Sequence, residues 1–198
     1  MKKLFALLLT SALTYNAHAE KLKLIIDAAH GGQDAGAKAQ NGETESELCL
    51  QFAQVLQQYA AQKDIEVVMV RNQDEYVALQ DRNNYQPEKG IKSYYISFHM
   101  NADNTGKARG ARIIYYSKSK EASASRRLAE KLKDGFNLIN DIGTTVSDKG
   151  SVAVLRNSVI PAVLVEPGYI TNERDLKKLK DKGIQKEVAM LIVKSITE

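Results

Sequence analysis

Two histidines and a glutamate stand where short aliphatic runs give way to loops. Leu22–Asp27 runs into His30, Tyr94–Phe98 runs into His99, and Ala162–Val165 ends at Glu166. In open α/β sheets the ligand site lies beyond the carboxyl ends of the strands. Glu45, which opens an amphipathic stretch one loop after His30, is a fourth candidate. Two imidazoles and a carboxylate, with one position left for water, make a catalytic zinc set. A second carboxylate that does not bind the metal can take the water proton. The rival reading is a pair of unrelated surface or core histidines. Both histidines stand at strand ends, and the first adjoins Gly31 and Gly32, which favours the metal. The same glycines, with Gly36, do not make a phosphate loop, because neither G-x-G-x-x-G nor G-K-[ST] is present. They suit a sharp backbone turn with room for substrate.

Those residues need a scaffold, and the hydrophobic pattern supplies one. Strands are expected at Leu22–Asp27, Ile65–Val70, Tyr94–Phe98, Ala111–Tyr116, Val152–Leu155 and Ala162–Glu166. Leu48, Phe52, Val55, Leu56 and Tyr59 share one helical face from about Glu45, with Thr44 or Ser46 as the cap. Further helices are expected at Val77–Asn84, Ala122–Phe136, Glu173–Leu179 and Ile184–Ile196. Short strands alternating with helices predict an α/β fold. The expectation is a single domain, with a mostly parallel twisted sheet of about six strands and helices on both faces.

Composition narrows the class. The 198 residues are 43% hydrophobic and 26% charged, an ordinary globular mix that holds one domain and not two. A net charge of +4 is too small and too dispersed for nucleic-acid binding. The single Cys49 excludes an internal disulfide and any cysteine-based zinc finger. It falls on the apolar face one turn beyond Glu45, where a buried, inert thiol is expected. Lys2 and Lys3, an apolar run of about ten residues and Ala17-His18-Ala19 form a secretory signal peptide, with cleavage after Ala19. Residues 1–19 are therefore expected to be removed, and residues 20–198 to be the catalytic domain, exported to the periplasm or the extracellular space with no membrane span after cleavage. Cleavage also removes His18, which leaves His30 and His99 as the only imidazoles.

Ile25-Ile26-Asp27-Ala28-Ala29-His30-Gly31-Gly32-Gln33-Asp34-Ala35-Gly36-Ala37 is similar to the opening segment of the zinc-dependent N-acetylmuramoyl-L-alanine amidase family. Ser97-Phe98-His99-Met100-Asn101-Ala102 resembles its S-I-H-x-N-A strand end. Pro161 to Asn172 resembles P-A-V-L-V-E-x-G-[FY]-x-[ST]-N, and Arg71, Asp74, Leu79 and Arg82 keep its middle pattern. The likeness covers about Leu22 to Ile196.

The resemblance implies one zinc per chain, with His30, Glu45 and His99 as metal ligands and Glu166 as the catalytic carboxylate. Glu45, and neither Glu43 nor Glu47, has the family spacing to Leu50 and Ala53. It implies peptidoglycan as the substrate and zinc-activated water as the agent that cleaves the amide between N-acetylmuramic acid and L-alanine of the stem peptide. Two alternatives stand beside it: a zinc peptidase cutting within the stem, and an inactive peptidoglycan-binding module. Asp27 is a candidate either to orient a ligand histidine or to cap the first turn. Asn101 and Arg156 are candidates for substrate contact or for structural roles, and Arg71, Asp74 and Arg82 read as an ion-pair scaffold. Ala28-Ala29 replaces the family's Pro-Gly; if positive φ is needed there, Ala29 carries strain of about 1–2 kcal/mol. Pro167 replaces the usual residue after Glu166. Some relatives carry an added helix that plugs the site until a partner removes it. Here the corresponding stretch, Ser117 to Ser151, holds the Ala122–Phe136 helix and then Gly143, Gly150 and a Thr144-Thr145-Val146 run that suits no helix. An open site that needs no activator protein is expected.

Overall fold

The computed structural model describes residues 21–139 and 143–198. The expected signal peptide lies outside the described residues. Six strands, β1 (Lys21–Ala28), β2 (Glu66–Met69), β3 (Ile91–Phe98), β4 (Arg112–Tyr115), β5 (Thr145–Asp148) and β6 (Ala162–Glu166), form one sheet in the order β2-β1-β3-β6-β4-β5. All neighbours are parallel except β4 against β6. Five helices accompany them: α1 (Glu45–Ala61), α2 (Ala122–Ile139), α3 (Ala153–Arg156), α4 (Glu173–Leu179) and α5 (Lys182–Thr197).

Strand side chains alternate between the two faces of the sheet. Leu24, Ile26, Tyr94, Ile96, Phe98, Ile113, Val163 and Val165 point to the face covered by α1, α2 and α5 and form the main core. Ile25, Tyr95, Ile114, Ala162 and Leu164 point the other way, into a smaller cluster closed by Val154 and Leu155 of α3 and by Ile160. Helices thus cover both faces, but very unequally. The second face keeps open ground beside α3, and the alternation that puts Ile25 and Tyr95 there also puts Asp27, Ser97, Arg112 and Glu166 at its upper edge. Those four polar side chains replace apolar ones at the last position of that face.

α1 begins where a capping box closes it. The Thr44 side chain accepts from the Glu47 amide, and the Glu47 carboxylate accepts from the Thr44 amide. Cys49 is fully buried, and burial pushes its thiol well up.

Two expected elements differ. Val152–Leu155 is not a strand; β5 lies earlier, at Thr145–Asp148, and Ala153–Arg156 is a single helical turn. A four-residue aliphatic run satisfies a buried strand and a buried turn alike, and here the turn plugs the second face. Val77–Asn84 reduces to the 3-10 turn Asp81–Asn83. The Ser117–Ser151 stretch contains α2, which packs on the sheet through Leu128, Ala129, Leu132 and Phe136, and the edge strand β5. Among the described residues, no helix is long and apolar enough to cross a membrane.

Candidate active site

β1 and β3 are adjacent and in register from Lys21↔Ile91 to Ala28↔Phe98, so the loops that leave them emerge side by side. His30 leaves the first and His99 the second, and their rings meet edge to face with centroids 5.2 Å apart. The buried first residue of α1, Glu45, rises between them. Its Oε1 lies 3.2 Å from His30 Nε2 and 2.9 Å from His99 Nδ1. One ligand atom from each of the three residues lies within 4.8 Å of the others, a cluster able to hold a metal ion. Burial alone would push the Glu45 carboxyl up. The two imidazoles and the Ala37 amide outweigh it and hold the group far below the usual carboxylate range. Burial likewise pushes His30 down, and contact with Glu45 and Asp34 reverses this to a net raised value.

The loop that carries His30 is held on every side. Asp34 Oδ2 sits 2.8 Å from His30 Nδ1, so with the proton on Nδ1 the Nε2 lone pair faces Glu45 and His99. Gly36 passes beside Glu45 and His30 at φ +63; a Cβ there would stand 2.7 Å from both Glu45 Oε2 and His30 Cδ2. Arg71, 1% exposed, donates to the carbonyls of Ala28, Ala29, Ser46 and Gln73, tying the end of β1 to the start of α1. Arg82 donates to Asp27 and to the carbonyls of Ala28 and His30. Asp74 accepts from the Gly32 amide. These residues do form a scaffold, but of the three only Arg82 does so through an ion pair, with Asp27; Arg71 works through carbonyl oxygens and Asp74 through a backbone amide. Ala29 does not have positive φ; His30 does, at φ +60. The strain expected of the Pro-Gly replacement therefore does not arise at Ala29. The left-handed residue is the histidine itself, held there by the Asp34 and Arg82 contacts.

Glu166, 7% exposed, closes the far side of the site at the end of β6. The antiparallel register places Arg112 directly beside it, and the guanidinium grips the carboxylate through Nε–Oε2 at 2.5 Å and Nη2–Oε1 at 2.9 Å. A cavity of about 440 Å³ is lined by His30, His99, Arg112 and Glu166 and continues past Ile114 and Leu164 to Val154, Ser151 and Lys149.

Asp27 lies beneath this site but touches neither histidine. Its two oxygens accept from Arg82 Nη1 and Ser97 Oγ. It neither orients a ligand histidine nor caps the turn through its side chain; the strand parity that puts it on the second face aims it at Arg82. Asn101 is buried and stitches the His99 loop to the β6 exit, accepting from the Ile170 amide and donating to Gly168 O through its backbone. Arg156 is exposed and donates to Gly150 O, bracing the turn before α3. Neither Asn101 nor Arg156 lines the cavity.

Sequence reasoning missed Asp34 and Arg112. Asp34 had a readable signal, a carboxylate four residues after a histidine across a glycine turn. Arg112 had none, because nothing in a short strand reveals that it will run antiparallel to β6.

The N-acetylmuramoyl-L-alanine amidase family model matches residues 24–198. The amidase LytC of Bacillus subtilis is 32% identical over 85% of this chain and 34% of its own length. The probable cell wall amidase LytH of Staphylococcus epidermidis is 31% identical over 88% of this chain and 57% of its own. The chain thus spans between about a third and somewhat over half of these relatives. Among solved structures, an N-acetylmuramoyl-L-alanine amidase from Clostridium difficile superposes with a TM-score of 0.76 at 30% identity, covering 89% of this chain and 95% of the other. The amidase AmiC2 of Nostoc punctiforme gives 0.75 at 28% identity, with 88% and 94% covered.

Proposed function

The chain belongs to the N-acetylmuramoyl-L-alanine amidase family, and from that premise we propose that it is a zinc-dependent peptidoglycan hydrolase. It cleaves the amide between the lactyl group of N-acetylmuramic acid and L-alanine of the stem peptide. The observation that carries this reading is the convergence of two imidazoles and a buried carboxylate at one end of the sheet, with a second carboxylate across the same cavity.

The donor set fits zinc: two nitrogens and one carboxylate oxygen converge, and the cavity leaves the remaining side open to solvent and substrate. His30, Glu45 and His99 would hold the ion, each with one ligand atom. Bound there, zinc supplies a Lewis acid for the lactyl carbonyl and acidifies water. Asp34 keeps His30 in the tautomer that can donate a lone pair. Glu166 accepts the proton of the attacking water at a carboxylate oxygen and delivers it to the leaving nitrogen of L-alanine, so that it ends the cycle ionised. Arg112 fixes that carboxylate in a two-point grip, which leaves each oxygen a free lone pair for the proton.

Residues 1–19 act as a signal peptide cleaved after Ala19, and the mature enzyme works outside the cytoplasmic membrane, where its substrate is. It needs no activator. In support, the stretch where a plug would be inserted builds α2 and β5, and among its described residues only Lys149 and Ser151, at its very end, line the cavity. The test is digestion of purified peptidoglycan by the pure protein with zinc alone, read by mass spectrometry. Stem peptides with a free L-alanine amino terminus are expected. Cuts within the stem would show a peptidase, and release only after a second protein is added would refute the unassisted site.

A further inference from the structure

Charges in the cavity are compensated, with one exception. Asp27 is matched by Arg82, Glu166 by Arg112, and Asp34 by His30. Lys149 lines the same cavity, and its ammonium has no side-chain partner among the described residues. The neighbouring Asp148 does not supply one, because it is engaged by the Ser117 amide.

The position of Lys149 follows from the sheet. β5 pairs with β4 from Arg112↔Thr145 to Tyr115↔Asp148, and the Lys149 amide donates to Tyr115 O at 3.0 Å. Lys149 therefore stands level with Tyr116, four strand residues below Arg112 and on the same face, about 13 Å along the sheet at roughly 3.3 Å per residue. Ile114 and Leu164 floor the interval, and Ser151 and Val154 wall it. The cavity is thus a trough with catalytic groups at one end and a free cation at the other. Arg156 secures the cation's turn through its bond to Gly150 O.

The two sides of the scissile bond differ in charge. The glycan side consists of neutral amido sugars once the lactyl group is amidated. The peptide side carries the carboxylates: the α-carboxylate of the γ-linked second residue, and, in some stems, one on a diamino acid at the third. An extended peptide spans about 3.3–3.6 Å per residue, so about 13 Å reaches the third or fourth residue.

Resting on the amidase reading, we propose that the trough is the stem-peptide subsite and that Lys149 binds a stem carboxylate there. It thereby orients the substrate with its peptide towards β5 and its glycan away from it, and selects acidic stems over neutralised ones.

The test uses four soluble muramoyl tripeptides, each with its C-terminal carboxyl group amidated. The second residue bears either a free carboxylate or a carboxamide, and the third is either meso-diaminopimelate or lysine. Zinc-loaded wild type, Lys149→Gln and Lys149→Arg are compared, with circular dichroism confirming the fold. Removing the recognised carboxylate is expected to raise KM about fivefold with little change in kcat, the scale of one partly exposed ion pair. The second- and third-residue arms show which carboxylate is read. Lys149→Gln should show the raised KM on the acidic substrate and lose the discrimination; Lys149→Arg should keep it. Equal cleavage of all four substrates by wild type, or undiminished discrimination by Lys149→Gln, overturns the carboxylate site and leaves the amidase reading intact. No release from any substrate by zinc-loaded wild type overturns the amidase reading instead, and this proposal with it.

Discussion

Replacing Gly36 by alanine tests whether the ligand loop is built around the metal site. The substitution adds one methyl group. At φ +63 a side chain costs about 1–2 kcal/mol in backbone strain. The methyl would also meet Glu45 Oε2 and His30 Cδ2 at 2.7 Å and Glu45 Cβ at 2.9 Å, well inside ordinary contact. Glu45 cannot retreat, because it is 5% exposed and its Oε2 accepts from the Ala37 amide. Overpacking of this kind costs about 1–3 kcal/mol, so the total is about 2–5 kcal/mol. Gly90→Ala is the matched control: φ is +80, and nothing lies within 4 Å of the added carbon. It carries only the backbone cost of about 1–2 kcal/mol. Urea denaturation of the metal-free proteins measures both. Zinc competition measures the second effect, in which Gly36→Ala shifts two ligands at once and weakens zinc by about 100-fold, while Gly90→Ala leaves it unchanged. Wild-type zinc affinity in Gly36→Ala would refute the packing argument, because an ion held by these groups cannot ignore a methyl wedged between them.

Three further outcomes are expected. Glu166→Gln should keep stoichiometric zinc by elemental analysis and lose about 10²–10⁴-fold in turnover, whereas His99→Ala should lose the metal; zinc loss in Glu166→Gln would mean that its role and that of Glu45 are exchanged. Asp34→Asn should fold normally and bind zinc about 10–100-fold more weakly, measured by competition with a chromophoric chelator, and an unchanged affinity would remove Asp34 from the site. Arg71→Met removes a donor from the carbonyls of Ala28, Ala29, Ser46 and Gln73, of which Ala28 keeps Arg82, and should destabilise the protein by about 2–4 kcal/mol in urea titration.

The parts of this molecule that could be read from the chain are those set by local pattern. β1, β3 and β6 are short aliphatic runs that end at His30, His99 and Glu166, so the positions of those groups at strand ends follow from period and composition. α1 carries its own cap and apolar stripe, and Glu45 begins it. What escaped depends on register between distant segments. That Asp27 would face Ser97 and Arg82 requires knowing which strands are neighbours. That Arg112 would grip Glu166 requires knowing that one strand is reversed. Val152–Leu155 was misassigned for the same reason, since a strand and a helical turn of four apolar residues differ only in what they pack against.

The sheet order also has a consequence in time. Ile26 pairs with Ile96, and Ser97 with Leu164, so the strands that lead to His30 and His99 and the strand of Glu166 meet only through contacts very distant along the chain. Closing such loops precedes any reward from the pairing, which makes assembly of this sheet slow relative to its helices. The His30–Glu45–His99 cluster exists in no early fragment of the folding chain; it appears when β1 and β3 lock. Zinc should therefore be a late passenger in refolding, leaving the collapse of α1, α2 and α5 untouched and slowing only the rate at which the finished sheet comes apart.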